Sequence, residues 1–177
     1  TFNAVASFLS HNYIVRVLEL GLFLGFILHI VQGFMLMRLN SQKRPVAYAV
    51  KPGNATSPWY SRSMGILGSL LLIFLVIHLS HFWIRTKYDL YISGDESNMF
   101  EQMKLTFHYA GGVVLYLVGV ISLCWHLIHG FSSSMQTLGI SSPKYNKMIR
   151  RAGIAYSLLI CLAFALMPIS IYFNWIE

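Results

Sequence analysis

Charge is what this chain has least of. Asp, Glu, Lys and Arg make up 11% of its 177 residues, against 56% hydrophobic and 15% aromatic, a balance that excludes an ordinary soluble domain. Long uncharged apolar runs place the chain in the membrane class. Cysteine is scarce too. Cys124 and Cys161 both lie inside apolar runs with no C-x-x-C or zinc-type spacing, so they read as packed thiols and not as a metal site. A cleavable signal peptide is also lacking, because Thr1-Phe-Asn-Ala has no basic n-region. That opening reads as the middle of a loop, and the expectation is that the true N-terminus lies further upstream. The net charge is +7, but the basic residues sit in separate segments between apolar runs and not in one patch with interleaved aromatics. Orientation in a membrane explains them better than nucleic acid does.

What is present is a set of four apolar runs, at about 13–37, 61–85, 105–131 and 152–175. Each is long enough, at ~1.5 Å per residue, to cross a ~30 Å hydrocarbon core. Residues 1–12 read as a polar and aromatic lead-in, 38–60 as a loop, 87–104 as a polar connection and 141–151 as a basic loop. The expected fold is all-α, a single polytopic transmembrane helix bundle over 1–177. Gly21 and Gly25 form a small-x-x-x-small pattern that allows close helix approach. Gly111, Gly112 and Gly119 suit tight packing or room for a flat ligand, and Pro168 should kink the last helix. Arg38, Lys43, Arg44, Lys51 and Arg62, with Lys144, Lys147, Arg150 and Arg151, outnumber Arg16, Arg85, Lys87 and Lys104 on the other side. The positive-inside rule therefore turns the 38–62 and 141–151 segments inward. Trp59, Trp83 and Trp175 fall near span ends, where interfacial aromatics belong.

Histidines inside these runs carry the functional expectation, because an ionisable side chain at membrane depth is costly unless something uses it. His126 and His129 share one face of the third run. His29 lies about 13 Å from the inward Arg38, and His126 about 15 Å from Gln136, so the two sit at similar depth. His78 lies about 10 Å from the outward Arg85 and belongs to the other leaflet. Two histidines from facing helices at one depth make a bis-histidine haem site of the kind helical bundles carry. His29 and His126 form the expected inner pair. His78 lacks a partner at its depth, and His81, one turn along the same helix, cannot reach the opposite face of the same iron. A further helix before Thr1, with its own histidine, is the expected source of that partner. His81 and His129 read as hydrogen-bonding to a neighbouring helix or to a cofactor, His11 and His108 as interfacial, Met35 and Met37 as packing.

Three stretches resemble a known family. Trp125-His-Leu-Ile-His-Gly-Phe-Ser-Ser-Ser-Met-Gln-Thr-Leu-Gly139, His78-Leu-Ser-His-Phe-Trp83, and Ile27-Leu-His-Ile-Val31 followed by Met37-Arg38 are similar to the ligand segments of the five-helix, di-haem cytochrome b anchor of succinate dehydrogenase and fumarate reductase. The resemblance covers nearly the whole chain. It makes the four spans the family's second to fifth, with the first helix absent. It implies two b-type haems, the inner held by His29 and His126, the outer by His78 and a histidine outside this sequence, with His81 and His129 in the cofactor environment. It further implies a flavoprotein and an iron-sulfur protein on the inner face, a quinone, commonly menaquinone, near the outer haem, and a bacterial cytoplasmic membrane. The chain would belong to a succinate-oxidising enzyme without dicarboxylate chemistry of its own. Glu19, Arg16, Tyr13 and His81 are at suitable depth for the quinone, although Arg16 and Glu19 are equally placed to pair with each other. Arg62, Ser63 and Arg38 are candidates to receive haem propionates. Two other readings compete: a di-haem subunit of a hydrogenase or formate dehydrogenase, and a haem-free anchor or transporter.

Overall fold

The computed structural model describes residues 2–43, 57–94, 98–140 and 142–176. Among these every regular element is helical: α1 Phe2–His11, α2 Tyr13–Gln42, α3 Trp59–Arg62, α4 Met64–Ser93, α5 Met99–Phe107, α6 Ala110–Thr137 and α7 Asn146–Tyr172. Four of them, α2, α4, α6 and α7, are long and apolar enough to cross a membrane. The protein is an all-α membrane-spanning bundle whose consecutive spans alternate in direction.

Several boundaries differ from the sequence reading, each for a local reason. The lead-in is helical: α1 stops at Asn12, whose extended backbone and side chain cap Ile14 N–H and start α2. The second span runs eight residues beyond Arg85, through two π-helical turns at Leu79–Ile84 and Asp89–Ser93. Leu90, Tyr91 and Ile92 keep those last turns apolar. Asp89 is offset by Arg85 at 3.7 Å and by Gln102 Nε2 at 3.1 Å. Gly94 ends the helix in the left-handed conformation, φ 72°. The expected third run is two helices, because Tyr109 is extended between α5 and α6. A Cβ on Gly112 would lie 2.1 Å from the Thr106 carbonyl oxygen, so only glycine permits that turn. The last span starts at Asn146, six residues early, and continues four residues past a buried Pro168.

Packing concentrates on α6 and α7. Gly153, Ser157 and Cys161 follow one another at four-residue spacing on the buried face of α7. A Cβ on Gly153 would come 2.5 Å from the Phe131 ring, and Ser157, fully buried, donates its hydroxyl to the Gly153 carbonyl at 2.7 Å. Across α4 and α6, Gly119 admits the Phe74 ring in the same way. Gly112 and Gly119 therefore serve close packing and not a flat ligand. A core of Met103, Phe107, Val113, Tyr116 and Ile171 closes the end of the bundle that carries Lys87.

The first span is the exception. α2 has no buried residue. The expected close approach at Gly21 and Gly25 is not made within the described residues, since a Cβ at either would meet nothing within 4 Å. Two points hold the span instead. Toward one end Glu19 bonds Lys87 and Trp83 of α4 and the Phe23 ring packs edge-on to Trp83 at 5.0 Å; at the other the Met37 sulphur lies against Gly65. Between them the helix stands off the bundle.

Candidate cofactor site

In that stand-off His29, itself exposed, faces α6. The His29 ring lies with its centre 5.9 Å from that of His126 on α6, the planes at 79°. Two imidazoles sharing one metal, each nitrogen about 2 Å from it and each ring centre about 1 Å behind its nitrogen, hold their centres about 6 Å apart. The separation observed is of that size. His126 Nδ1 is buried without a hydrogen-bond partner, a condition costing about 1–3 kcal/mol unless something satisfies it.

The positions one turn to either side of each ring are small. His29 is flanked by Gly25 and Gly33, His126 by Ser122 and Gly130, and a Cβ at any of these three glycines would find open space. Gly68 of α4 sits beside the pair, its ideal Cβ 3.9 Å from His126 Cε1. A flat macrocycle standing between the two imidazoles needs this absence of side chains above and below its axis, so the residues fit a haem. Among the described residues no group of three or more His, Cys, Asp or Glu gathers as a metal site. A haem needs only two from the protein.

His78 is differently placed. Its ring contacts Tyr116 at 5.9 Å, and Tyr116 is ten residues, about 15 Å, from His126 along α6. The two levels read from spacing are thus separate in the fold. Here the flanking residues are large: Phe74 and Phe82, one turn before and after, lie 6.0 and 5.4 Å from the His78 ring. His81, in the first π turn, stacks on Tyr116 at 6.0 Å and 15°, with its Nδ1 3.1 Å from the Tyr116 hydroxyl. One of its nitrogens is therefore committed to a buried phenol. His129 lies half-buried on α6, three residues past His126.

Glu19 is the hub of an ion network. Arg16 Nη1 is 3.3 Å from Oε2, Lys87 Nζ is 2.8 Å from Oε1, and the Trp83 indole N–H donates to the same carboxylate. Arg16 also donates to the Ser10 carbonyl at 2.7 Å and lies over the Tyr91 ring. The pairing of Arg16 with Glu19 is made, and α4 joins it. Tyr13 is 80% exposed and outside this network. At the opposite end Arg62 bonds the Ser57 carbonyl and hydroxyl, and Arg38 is exposed. There Trp59 and Tyr60 pack on Trp125, 5.1 and 5.3 Å away. His11 and His108 are exposed and turn Nδ1 back to the carbonyls of Ser7 and Leu105, at 2.8 and 2.7 Å.

Sequence reasoning missed Trp83 and Lys87 as partners of Glu19, and Tyr116 as the partner of His81. It also passed over glycine four residues before and after His29, which was visible in the letters. The chain matches no protein-family model, no curated protein and no solved structure.

Proposed function

We propose that this chain is the membrane-anchoring cytochrome b subunit of a succinate:quinone oxidoreductase, with a b-type haem held between His29 and His126. The observation that carries the reading is the juxtaposition of these two rings, with Gly25 and Gly33 flanking His29 on α2 and Ser122 and Gly130 flanking His126 on α6. Bound there, a haem supplies one-electron storage at a potential set by its axial ligands, its burial and neighbouring hydrogen bonds. The residues of the chain bind and orient. The imidazoles of His29 and His126 would hold the haem from two spans, and Gly25, Gly33 and Gly130 would leave room for it. His78, about 15 Å along the bundle from His126, would take a second haem together with a histidine outside this sequence, giving a path across the membrane toward quinone.

The end carrying Arg38, Arg62, Lys147, Arg150 and Arg151 is the inner one by the positive-inside rule. An iron-sulfur protein and a flavoprotein dock there in this reading. The test is a reduced-minus-oxidised spectrum and haem-to-protein ratio of the purified complex, together with identification of the soluble subunits. A b-type band and a succinate-oxidising flavoprotein are expected. Absence of the band overturns the cytochrome reading. A band accompanied by a hydrogenase or formate dehydrogenase overturns the succinate assignment alone.

A further inference from the structure

α1 presents three distinct faces. Asn3, Ala6 and Ser10 lie toward the bundle: Asn3 Nδ2 donates to Asn98 Oδ1 at 2.9 Å, its own Oδ1 accepts from Phe100 N–H at 3.2 Å, and the Ser10 carbonyl accepts from Arg16. Ser7 and His11 form a polar, exposed face. Phe2, Val5, Phe8 and Leu9 occupy the remaining sector and are 44, 58, 66 and 45% exposed, Phe2 at its edge also touching the Phe100 ring at 6.1 Å. A short helix with one docked face, one polar face and one free apolar face, and no Lys, Arg, Asp or Glu, has the design of an element lying at a membrane–water boundary.

Position supports the same conclusion. α1 is joined to the span α2 by the single residue Asn12, and Tyr13, Ile14, Val17 and Leu18 of α2 expose their side chains next to it, so its apolar sector continues the lipid-facing surface of that span. Trp83 and Lys87, residue types that anchor spans at headgroup level, meet Glu19 two turns below. We infer that α1 is an interfacial helix whose Val5, Phe8 and Leu9 insert into the bilayer leaflet at the Lys87 end, while Ser7 and His11 face water. The occupant of the apolar face is phospholipid at the headgroup–acyl boundary. This holds whether or not the bundle carries haem.

The experiment places p-benzoylphenylalanine at position 8 and, separately, at position 7 in the intact complex reconstituted in phosphatidylethanolamine/phosphatidylglycerol nanodiscs. After irradiation, phospholipid adducts are read by mass spectrometry. A lipid adduct several-fold more abundant at position 8 than at position 7 is expected. Equal lipid yields at the two positions overturn the inference, and so does a position-8 adduct to protein in place of lipid. A nitroxide attached at Phe8→Cys or Ser7→Cys, in a Cys124→Ala, Cys161→Ala background, gives a second readout. Relaxation by oxygen should dominate at 8 and relaxation by a water-soluble nickel chelate at 7. The chelate reaching both equally places α1 in water and overturns it.

Discussion

Gly33→Leu separates a span that merely faces lipid from one that leaves room for a flat group. Gly33 is one turn past His29, and a Cβ there meets nothing within 4 Å in the described chain. Within the polypeptide the added Cβ therefore meets open space, and replacing glycine by leucine in a helix gains up to about 1 kcal/mol. The protein freed of cofactor should unfold at an unchanged or slightly higher temperature. If a macrocycle stands on His29, the leucine side chain enters its space, and overpacking of a filled site costs about 1–3 kcal/mol. That weakens haem retention roughly 5- to 150-fold. The measurements are haem per protein by pyridine haemochrome after dilution in detergent, and thermal unfolding of the same sample stripped of haem. Undiminished haem in Gly33→Leu would refute the slot. Lost stability in the stripped protein would show that α2 packs more closely than 4 Å of free space allows. Gly119→Ala is the control, since its Cβ collides with Phe74 at 2.5 Å. It should lower stability by about 1–3 kcal/mol with haem removed.

Further outcomes follow from the same geometry. His126→Ala should remove one haem, whereas His129→Ala, which leaves the facing pair intact, should keep the full complement; equal loss in both would invalidate the choice of ligand. Glu19→Gln leaves Lys87 and Arg16 without their shared carboxylate, at about 20% side-chain exposure. Allowing for that exposure the loss should be about 1–2 kcal/mol in denaturant unfolding, and a Glu19→Gln, Lys87→Met double variant should recover part of it. No change in the single variant would mean that the network does not tie α2 to α4. Gly112→Ala drives a Cβ into the Thr106 carbonyl and should destabilise by more than about 1 kcal/mol, while Gly130→Ala, facing open space, should leave cofactor-free stability within about 0.5 kcal/mol. Similar losses at both would contradict the observed turn between α5 and α6.

The four spans were legible because length and the lack of charge alone distinguish a membrane helix. Their ends were not, because tertiary partners decide how polar a helical turn can be. Asp89 lies inside α4 with Arg85 and Gln102 as partners, and no local signal announces Gln102, thirteen residues away. The split at Tyr109 depends on the approach of Thr106 to Gly112, a contact that hydropathy does not register. The histidines were legible in depth, since rise per residue converts spacing into level. Which ring meets which is a matter of azimuth, and only the fold brings His29 to His126 while turning His81 onto Tyr116. The glycines illustrate the same limit from the other side: Gly112, Gly119 and Gly153 are in tight contact, Gly21, Gly25 and Gly33 in none.

The contrast between those two sets of glycines bears on how α2 is held. A span fixed along its whole length by small residues would have no freedom to admit a group between itself and its neighbours. α2 is fixed near its two ends, by the carboxylate of Glu19 against α4 and by Met37 over Gly65, so its middle is placed without being packed. His29 occupies that middle, directed at a half-buried histidine whose Nδ1 lacks a partner. In the haem reading, a flat group held by the two imidazoles would supply the contact that the middle of α2 lacks. Clamping a helix at both ends and leaving its centre to a ligand would make the stability of the span depend on occupancy. Cofactor-free protein should accordingly exchange amide hydrogens faster in 24–34 than in the buried stretch of α6, and loading should slow the former while leaving the latter unchanged. Equal protection of the two helices before loading would show that α2 needs no ligand to hold its place.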